Sequence, residues 1–332
     1  LSSTGSLEHP EKVAGGPEES IFQPEWSPDG TLHFVSDRTG WSNIYRWRNG
    51  AVKPVNEMEA EFARPQWIFG SSTYAFQSDS RIICSYVQSG NWKLASVETE
   101  LRRLNPIPTP YSDMARGDLR VTSDTAVIIA GSPVEALSVV RLDLATGDTQ
   151  VLRTSGDVSL GQAYLSPPEA LEYPTEQNLT AHAFYYPPSN GDYEPTLGEK
   201  PPLLVKSHGG PTNATSVSLD LSIQYWTSRG FAVLDVNYGG STAYGRAYRE
   251  RLKGQWGIVD VDDCVNGALY LVRQGLADGK RLAIDGGSAG GYTTLAALTF
   301  RNVFAAGASY YGVSDLETLA KDTHKFESRY LD

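Results

Sequence analysis

The pattern of apolar residues changes near residue 159, and this change limits what the chain can fold into. Before it, three β-rich units separated by Gly, Asp, Asn and Ser turns recur at intervals of roughly 50 residues, which is typical of propeller blades. After it, apolar runs of strand length alternate with runs at helical spacing. Such alternation predicts a mostly parallel sheet covered on both faces. The sequence therefore predicts part of a β-propeller over residues 1–158, followed by an α/β domain over residues 159–332.

The number of β-rich units leaves the first half incomplete. A closed propeller has roughly four to eight blades, and three blades would leave two open edges. The first unit contains the turn Ser27-Pro28-Asp29-Gly30. We expect residues 1–158 to be the end of a propeller, and a β-sandwich is the alternative.

Composition excludes several classes of function. The formal charge of −11 argues against nucleic-acid binding. No apolar run approaches the roughly 18–20 residues that a membrane helix needs, so no membrane partner is expected. Two cysteines are too few for a disulfide framework, and no Cys or His spacing indicates a metal site or another cofactor. The first residues lack a signal peptide and an initiator Met, so we expect a cytoplasmic protein whose sequence here begins partway along.

The segment Gly286-Gly287-Ser288-Ala289-Gly290 fits the pattern G-x-S-x-G between a strand-like run and a helix-like run. This context predicts a nucleophile elbow, in which a serine sits on a tight strand-to-helix turn. Small neighbours are needed there because the serine backbone is strained. A phosphate-binding loop would need a different glycine spacing. We predict an α/β-hydrolase domain with Ser288 as its nucleophile.

Acyl transfer also needs hydrogen-bond donors where the oxyanion forms. One donor is the N–H of the residue after the nucleophile, which is Ala289. The segment His208-Gly209-Gly210-Pro211 follows an earlier strand-like run and resembles the loop that supplies the second donor, so we predict the N–H of Gly210. His208 lies on the oxyanion side, and we expect it to orient this loop rather than to act as a base.

Together these motifs resemble the prolyl oligopeptidase family of serine peptidases, in its acylaminoacyl-peptidase and dipeptidyl-peptidase-like branch. The resemblance is strong after residue 159 and weaker before it. Its motifs are SPPEALEYPT, AHAFYYPP, KSHGGPT, NYGGSTAYGRAYRERLKGQWG, DGGSAGGYTTLAAL and YYGVSDL. The resemblance implies a β-propeller that restricts entry to an α/β-hydrolase domain, hydrolysis of short peptides through an acyl-enzyme on Ser288, and oxyanion donors at Gly210 and Ala289.

Further predictions concern substrate contacts. The resemblance implies that Val313, Leu316 and Leu319 line the P1 side-chain pocket, although core packing would also explain apolar residues there. Glu59 and Glu61 lie in an acidic stretch between the first two blades. Their carboxylates could bind a substrate α-amino group by charge-assisted hydrogen bonds, and a solvated loop is the alternative.

The sequence after Ser288 departs from the family pattern. A triad needs an acid and then a histidine, yet the only later histidine is His324, in a segment that reads as a surface helix and its connection. We therefore expect a truncated α/β-hydrolase domain, a chain inactive by itself, and uncovered sheet edges that favour homo-oligomers. A carboxylesterase and a truncated, non-catalytic peptide-binding product are the alternatives.

Overall fold

The structure, a computed structural model, describes residues 10–114, 117–156, 160–325, 327 and 331, so the predicted boundary between residues 158 and 159 lies outside the described residues. The part before this boundary, called the propeller part, contains three four-stranded antiparallel sheets in chain order. The first sheet consists of β1 (Ile21–Trp26), β2 (Leu32–Ser36), β3 (Asn43–Arg48) and β4 (Ala51–Pro54). The second consists of β5 (Tyr74–Ser78), β6 (Arg81–Gln88), β7 (Asn91–Glu98) and β8 (Arg103–Ile107). The third consists of β9 (Arg120–Val121), β10 (Thr125–Ser132), β11 (Glu135–Asp143) and β12 (Thr149–Thr154).

Each of the three β-rich units of the sequence forms one of these four-stranded sheets. The turn Ser27-Pro28-Asp29-Gly30 joins β1 to β2, where Gly30 adopts φ +80° and its N–H donates to Ser27 O at 2.9 Å. Apolar side chains of neighbouring sheets pack together, so Ile44 of the first sheet and Ile82 of the second belong to one buried cluster. Ile83 and Ile128 likewise join the second and third sheets. Alternate residues of β6 therefore contribute to two cores, as expected for stacked blades.

The second part, called the hydrolase part, is built on one six-stranded sheet with the order β13-β14-β16-β15-β17-β18. Its strands are β13 (Glu169–Pro174), β14 (Thr180–Tyr186), β15 (Leu203–Ser207), β16 (Ala232–Asn237), β17 (Leu282–Gly287) and β18 (Ala306–Tyr310). The last four strands pair in parallel, whereas β13 and β14 pair antiparallel at one edge. The mostly parallel sheet is thus confirmed, with an antiparallel edge that the sequence pattern did not reveal.

The α-helices described after residue 159 are α1 (Leu221–Thr227), α2 (Arg246–Arg249), α3 (Val259–Gln274), α4 (Ala289–Phe300) and α5 (Leu316–Asp322). Of these, α1, α3 and α4 pack on the sheet and cover its two faces. Helix α3 packs its Val261 and Ala268 against Val205 and Leu234 of the sheet, and Ile223 of α1 packs on the opposite face. None of the helices in the described residues is long and apolar enough to cross a membrane.

A buried ion pair joins the two parts. Asp37 of the propeller part is 2% exposed and accepts hydrogen bonds from Arg246 at 2.6 Å and from Arg249 at 2.8 Å. Burial disfavours the charged carboxylate, but these two arginines outweigh it and lower the pKa of Asp37. Breaking such a pair leaves an uncompensated buried charge, so this contact between the propeller part and the hydrolase part would be costly to break.

Candidate active site

Ser288 occupies the turn between β17 and α4, as the G-x-S-x-G pattern predicts. Its backbone adopts φ +55° and ψ −119°, a conformation that L-residues rarely adopt, and its side chain is exposed. The turn needs Gly290, since a Cβ there would collide with Ser207 O and approach His208 O to 2.7 Å. A Cβ on Gly286 would likewise approach Ser207 O to 2.8 Å. The glycines therefore let the elbow press directly against the end of β15.

Backbone hydrogen bonds hold the elbow on its other side. The Ser288 N–H donates to Tyr310 O at 3.0 Å, and the Val313 N–H donates to Ser288 O at 3.3 Å. The strained turn is thereby fixed to the end of β18 and to the segment that follows. Such over-determination by neighbouring structure is what allows a strained backbone to persist.

The H-G-G segment lies beside the elbow on the β15 side. A Cβ placed on Gly209 would stand 3.2 Å from Gly287 O and 3.5 Å from the Ser288 Cβ, so the segment passes close to the serine. Gly210 follows with φ +132°. Ala289 is the first residue of α4, where backbone N–H groups have no partner within the helix. The two predicted oxyanion donors thus lie on segments that meet at Ser288.

His208 holds this segment in place. Its Nδ1–H donates to Gly209 O at 2.8 Å, its Nε2 accepts from the Ser241 hydroxyl at 2.7 Å, and its ring stacks on Tyr238 with centroids 4.3 Å apart. Burial lowers the pKa of His208 to about 4, so the ring is neutral at physiological pH. These contacts agree with the expectation that His208 orients the loop.

Further side chains brace the same loop, and motif analysis did not single them out. The Tyr238 hydroxyl donates to His208 O at 2.9 Å and also lies 3.2 Å from Pro211 O. The Asn237 side chain accepts from Thr215 N–H at 2.9 Å. These residues belong to the motif NYGGSTAYG, so the motif marked their importance, but its spacing does not indicate which loop they contact.

Charged residues line a cavity of about 380 Å³ that also contains Ser288. Lys206 Nζ lies 3.3 Å from Asp285 Oδ1, which links the strand before the H-G-G segment to the strand before the elbow. Asp235 stands opposite Lys206 in the neighbouring strand. Burial raises the pKa of Asp235 to about 7, with Lys206 acting in the opposite direction. Sequence reasoning missed these residues because their meeting depends on strand register.

A bigger cavity of about 1340 Å³ lies elsewhere, at the amino ends of the strands. It is lined by the Pro-rich segment before β15 and by residues such as Arg281 and Ala305, and it does not include Ser288. Ligands of open α/β sheets bind beyond the carboxyl ends of the strands, which is where the Ser288 cavity lies. The smaller cavity is therefore the candidate active site.

The remaining predicted substrate contacts are spread more widely. Val313 is half-buried and bonded to Ser288 through its backbone, and Leu316 and Leu319 are half-buried in α5. Glu59 is exposed, whereas Glu61 is only 5% exposed. Burial raises the pKa of Glu61, and a hydrogen bond with Ser42 opposes this change. A substrate role stays a prediction for all five residues.

No histidine of the described residues hydrogen-bonds to Ser288. His33 contacts Thr31 O, His182 stacks on Tyr244, and His324 is exposed 3.7 Å from Glu327. The described residues also contain no group of three or more His, Cys, Asp or Glu side chains arranged to hold a metal ion. Among the described residues, the site therefore combines the exposed Ser288 with the nearby H-G-G segment and the charged side chains of Lys206, Asp235 and Asp285.

A strained serine between a parallel strand and a helix, next to stacked antiparallel sheets, defines the class: an α/β-hydrolase unit joined to a propeller. The sequence model of the prolyl oligopeptidase family matches residues 217–332. The chain belongs to the prolyl oligopeptidase family.

Known relatives agree with this assignment. Dipeptidyl aminopeptidase BIII of Pseudoxanthomonas mexicana is 31% identical over 69% of this chain and 33% of its own length. The crystal structure of puromycin hydrolase is 41% identical with a TM-score of 0.94, covering 100% of this chain and 50% of that chain. A puromycin-hydrolyzing peptidase of Mycobacterium tuberculosis is 44% identical with a TM-score of 0.93, covering 98% and 49%. The chain therefore spans about half the length of these solved structures.

Proposed function

We propose that this chain is part of a serine peptidase that hydrolyses short peptides through an acyl-enzyme on Ser288. One observation carries the proposal: Ser288 is exposed on a strained strand-to-helix turn, directly beside the H-G-G segment. Strained backbone conformations cluster at functional sites, which favours a catalytic role for this serine. The family assignment adds independent support.

In the proposed reaction, Ser288 Oγ attacks the carbonyl carbon of the substrate while its proton passes to a general base. The N–H groups of Gly210 and Ala289 donate to the resulting oxyanion. Collapse of the tetrahedral intermediate breaks the C–N bond, and the amine leaves with a proton. Water then hydrolyses the ester on Ser288 and regenerates the hydroxyl. The required base and its acid partner are not assigned to any described residue.

The proposed substrates are short peptides and aminoacyl amides. Two solved structures that are 41% and 44% identical to this chain are titled a puromycin hydrolase and a puromycin-hydrolyzing peptidase. We propose that Val313, Leu316 and Leu319 contribute to the side-chain pocket, and that Glu59 and Glu61 attract a free α-amino group. Residues 1–158 and 159–332 are the proposed propeller and hydrolase domains.

The test uses the whole protein and a fluorophosphonate probe. We expect covalent labelling at Ser288, located by peptide mass spectrometry, and no labelling of Ser288→Ala. Hydrolysis of aminoacyl-anilides and puromycin should fall by at least roughly 10³-fold in that variant. Labelling at another residue, or unchanged hydrolysis by Ser288→Ala, would refute the proposal. Turnover of p-nitrophenyl esters without anilide hydrolysis would identify a carboxylesterase instead.

A further inference from the structure

Asp113 of the propeller part reaches into the hydrolase part and binds the segment that follows the H-G-G loop. Its Oδ2 accepts a hydrogen bond from the Ser216 hydroxyl and another from the Ser218 N–H, the latter at 3.3 Å. Asp113 is 1% exposed. The two serines also contact each other, with their hydroxyl oxygens 2.7 Å apart. A buried carboxylate thus organises a short turn six to eight residues after Gly210.

The propeller part holds this carboxylate rigidly. The Asp113 N–H donates to Gly131 O at 3.1 Å, and the Gly131 N–H returns a bond to Asp113 O at 2.9 Å. Ser132 O, at the end of β10, accepts from the Leu219 N–H at 2.8 Å. A Cβ on Gly131 would stand only 3.2 Å from the Ser218 Cβ, so the two parts touch closely here. The propeller part therefore binds residues 216–219 through both side-chain and backbone contacts.

Residues 216–219 are continuous with the proposed oxyanion loop. Between them, Asn213 O accepts from Thr242 N–H at 2.8 Å, and Thr215 N–H donates to Asn237 at 2.9 Å. Val217 is buried between Ser216 and Ser218 and packs against the sheet. These contacts leave the chain between Gly210 and Ser216 little freedom to move, so we expect a shift at Ser216 to displace the loop as well.

We propose that Asp113 is a positioning residue. From the propeller part, it holds in place the loop that carries the proposed oxyanion donor Gly210. This inference rests on the proposed function of Ser288 and Gly210. It assigns the propeller part a role in the reaction beyond restricting entry. The requirement is geometric, because a donor must point to where the oxyanion forms rather than to the resting carbonyl.

The contact is tested first by hydrogen–deuterium exchange on the whole protein. Asp113→Ala should speed exchange at Ser218 and in the preceding residues by roughly fivefold, since a hydrogen bond of about 1 kcal/mol is lost. Ser216→Ala, which keeps the carboxylate, should give a smaller change at the same amides. The control is Asp143→Ala, in an exposed turn of the same sheet, where Asp143 accepts from Ala145 and Thr146 N–H. Unchanged exchange over residues 209–219 in both test variants would overturn the inference.

The catalytic consequence is tested in the whole protein. For Asp113→Ala and Ser216→Ala we expect kcat to fall up to about tenfold with KM within twofold, less than the roughly 100-fold effect of deleting a donor. A peptide aldehyde forms a tetrahedral adduct with an oxyanion, so its inhibition constant should rise by the same factor, while that of the matching alcohol should not. Equal weakening of both inhibitors, or no change in kcat, would overturn the positioning role. If the wild-type protein is neither labelled by a fluorophosphonate nor inhibited by the aldehyde, the proposed function fails and the oxyanion role with it, whereas the exchange result still decides whether Asp113 holds the loop.

Discussion

The two sides of Ser288 are built differently. On the oxyanion side, residues 207–219, buried or half-buried side chains from two other segments hold the loop: Asn237, Tyr238 and Ser241 from one segment, and Asp113 from the propeller part. On the open side, residues 310–319, backbone hydrogen bonds connect the elbow to Tyr310 and Val313. The side chain of Tyr310 is 53% exposed there.

This difference separates two ways of fixing a strained turn. Side-chain hydrogen bonds make the oxyanion side depend on individual residues that are distant in sequence. Backbone hydrogen bonds make the open side depend on the path of the chain and hardly on which side chains it carries. Substitutions should therefore have large effects on the first side and small effects on the second.

The largest effect is expected for Gly290→Ala, at the junction of the elbow and the oxyanion side. The added methyl group would collide with Ser207 O and lie 2.7 Å from His208 O, both of them backbone atoms that cannot rotate away. We expect the free energy of unfolding to fall by about 3–5 kcal/mol, the upper range for one substitution. Urea denaturation measures this change.

The matched control for this glycine is Gly16→Ala. Nothing lies within 4 Å of a Cβ at Gly16, and its φ is not in the positive range. Its stability should stay within about 0.5 kcal/mol of wild type. Equal stability of Gly290→Ala and Gly16→Ala would mean that the elbow does not press on β15 as described.

Sequence patterns were sufficient for those parts of the fold that depend on local order. One of the runs at helical spacing predicted after residue 159 forms α3, Val259–Gln274, and this helix ends where Gly275 adopts φ +76°. The strand and helix around Ser288 are present because a G-x-S-x-G pattern in this context describes one continuous stretch of chain. Local motifs report local geometry well.

The parts that sequence reasoning missed depend on register and on distant contacts. Lys206 meets Asp285 only because β15 and β17 pair in one particular alignment, which no single strand specifies. Asp113 lies more than 100 residues from Ser216, and nothing in its neighbourhood marks it as part of the site. Glu59 and Glu61 were predicted as substrate contacts from an acidic stretch between two blades, and that pattern does not indicate that Glu61 is buried while Glu59 is exposed.

A matched pair of substitutions compares the two sides directly. Tyr238→Phe removes the buried hydroxyl that contacts His208 O and Pro211 O, and leaving these carbonyl oxygens without that donor should cost about 1–3 kcal/mol of unfolding free energy. Tyr311→Phe makes the same chemical change on the open side, where the side chain is 87% exposed, and should cost less than about 0.5 kcal/mol. Chemical denaturation of both variants gives the two values, and equal losses would remove the distinction between the sides.

The smallest effect concerns pH and His208. Burial lowers the pKa of His208 from 6.5 to about 4, so between these values the unfolded chain binds more protons at this site than the native protein. Titration of His208 therefore lowers the free energy of unfolding as the pH falls from 6.5 towards 4, and it leaves that free energy unchanged above pH 6.5. Between pH 7.5 and pH 4.5, the free energy of unfolding of His208→Asn should fall by about 1 kcal/mol less than that of the wild-type protein. This value is set below the full effect of the pKa shift because the ring is partly exposed. Asp235 and Asp260 have pKa values raised to about 7 and about 6, so their titration stabilises the native protein as the pH falls. Because both residues are present in the variant and in the wild type, the difference between the two stability curves reports on His208. Parallel stability curves for the two proteins would show that His208 titrates normally, and that the oxyanion side is more open to water than its hydrogen bonds imply.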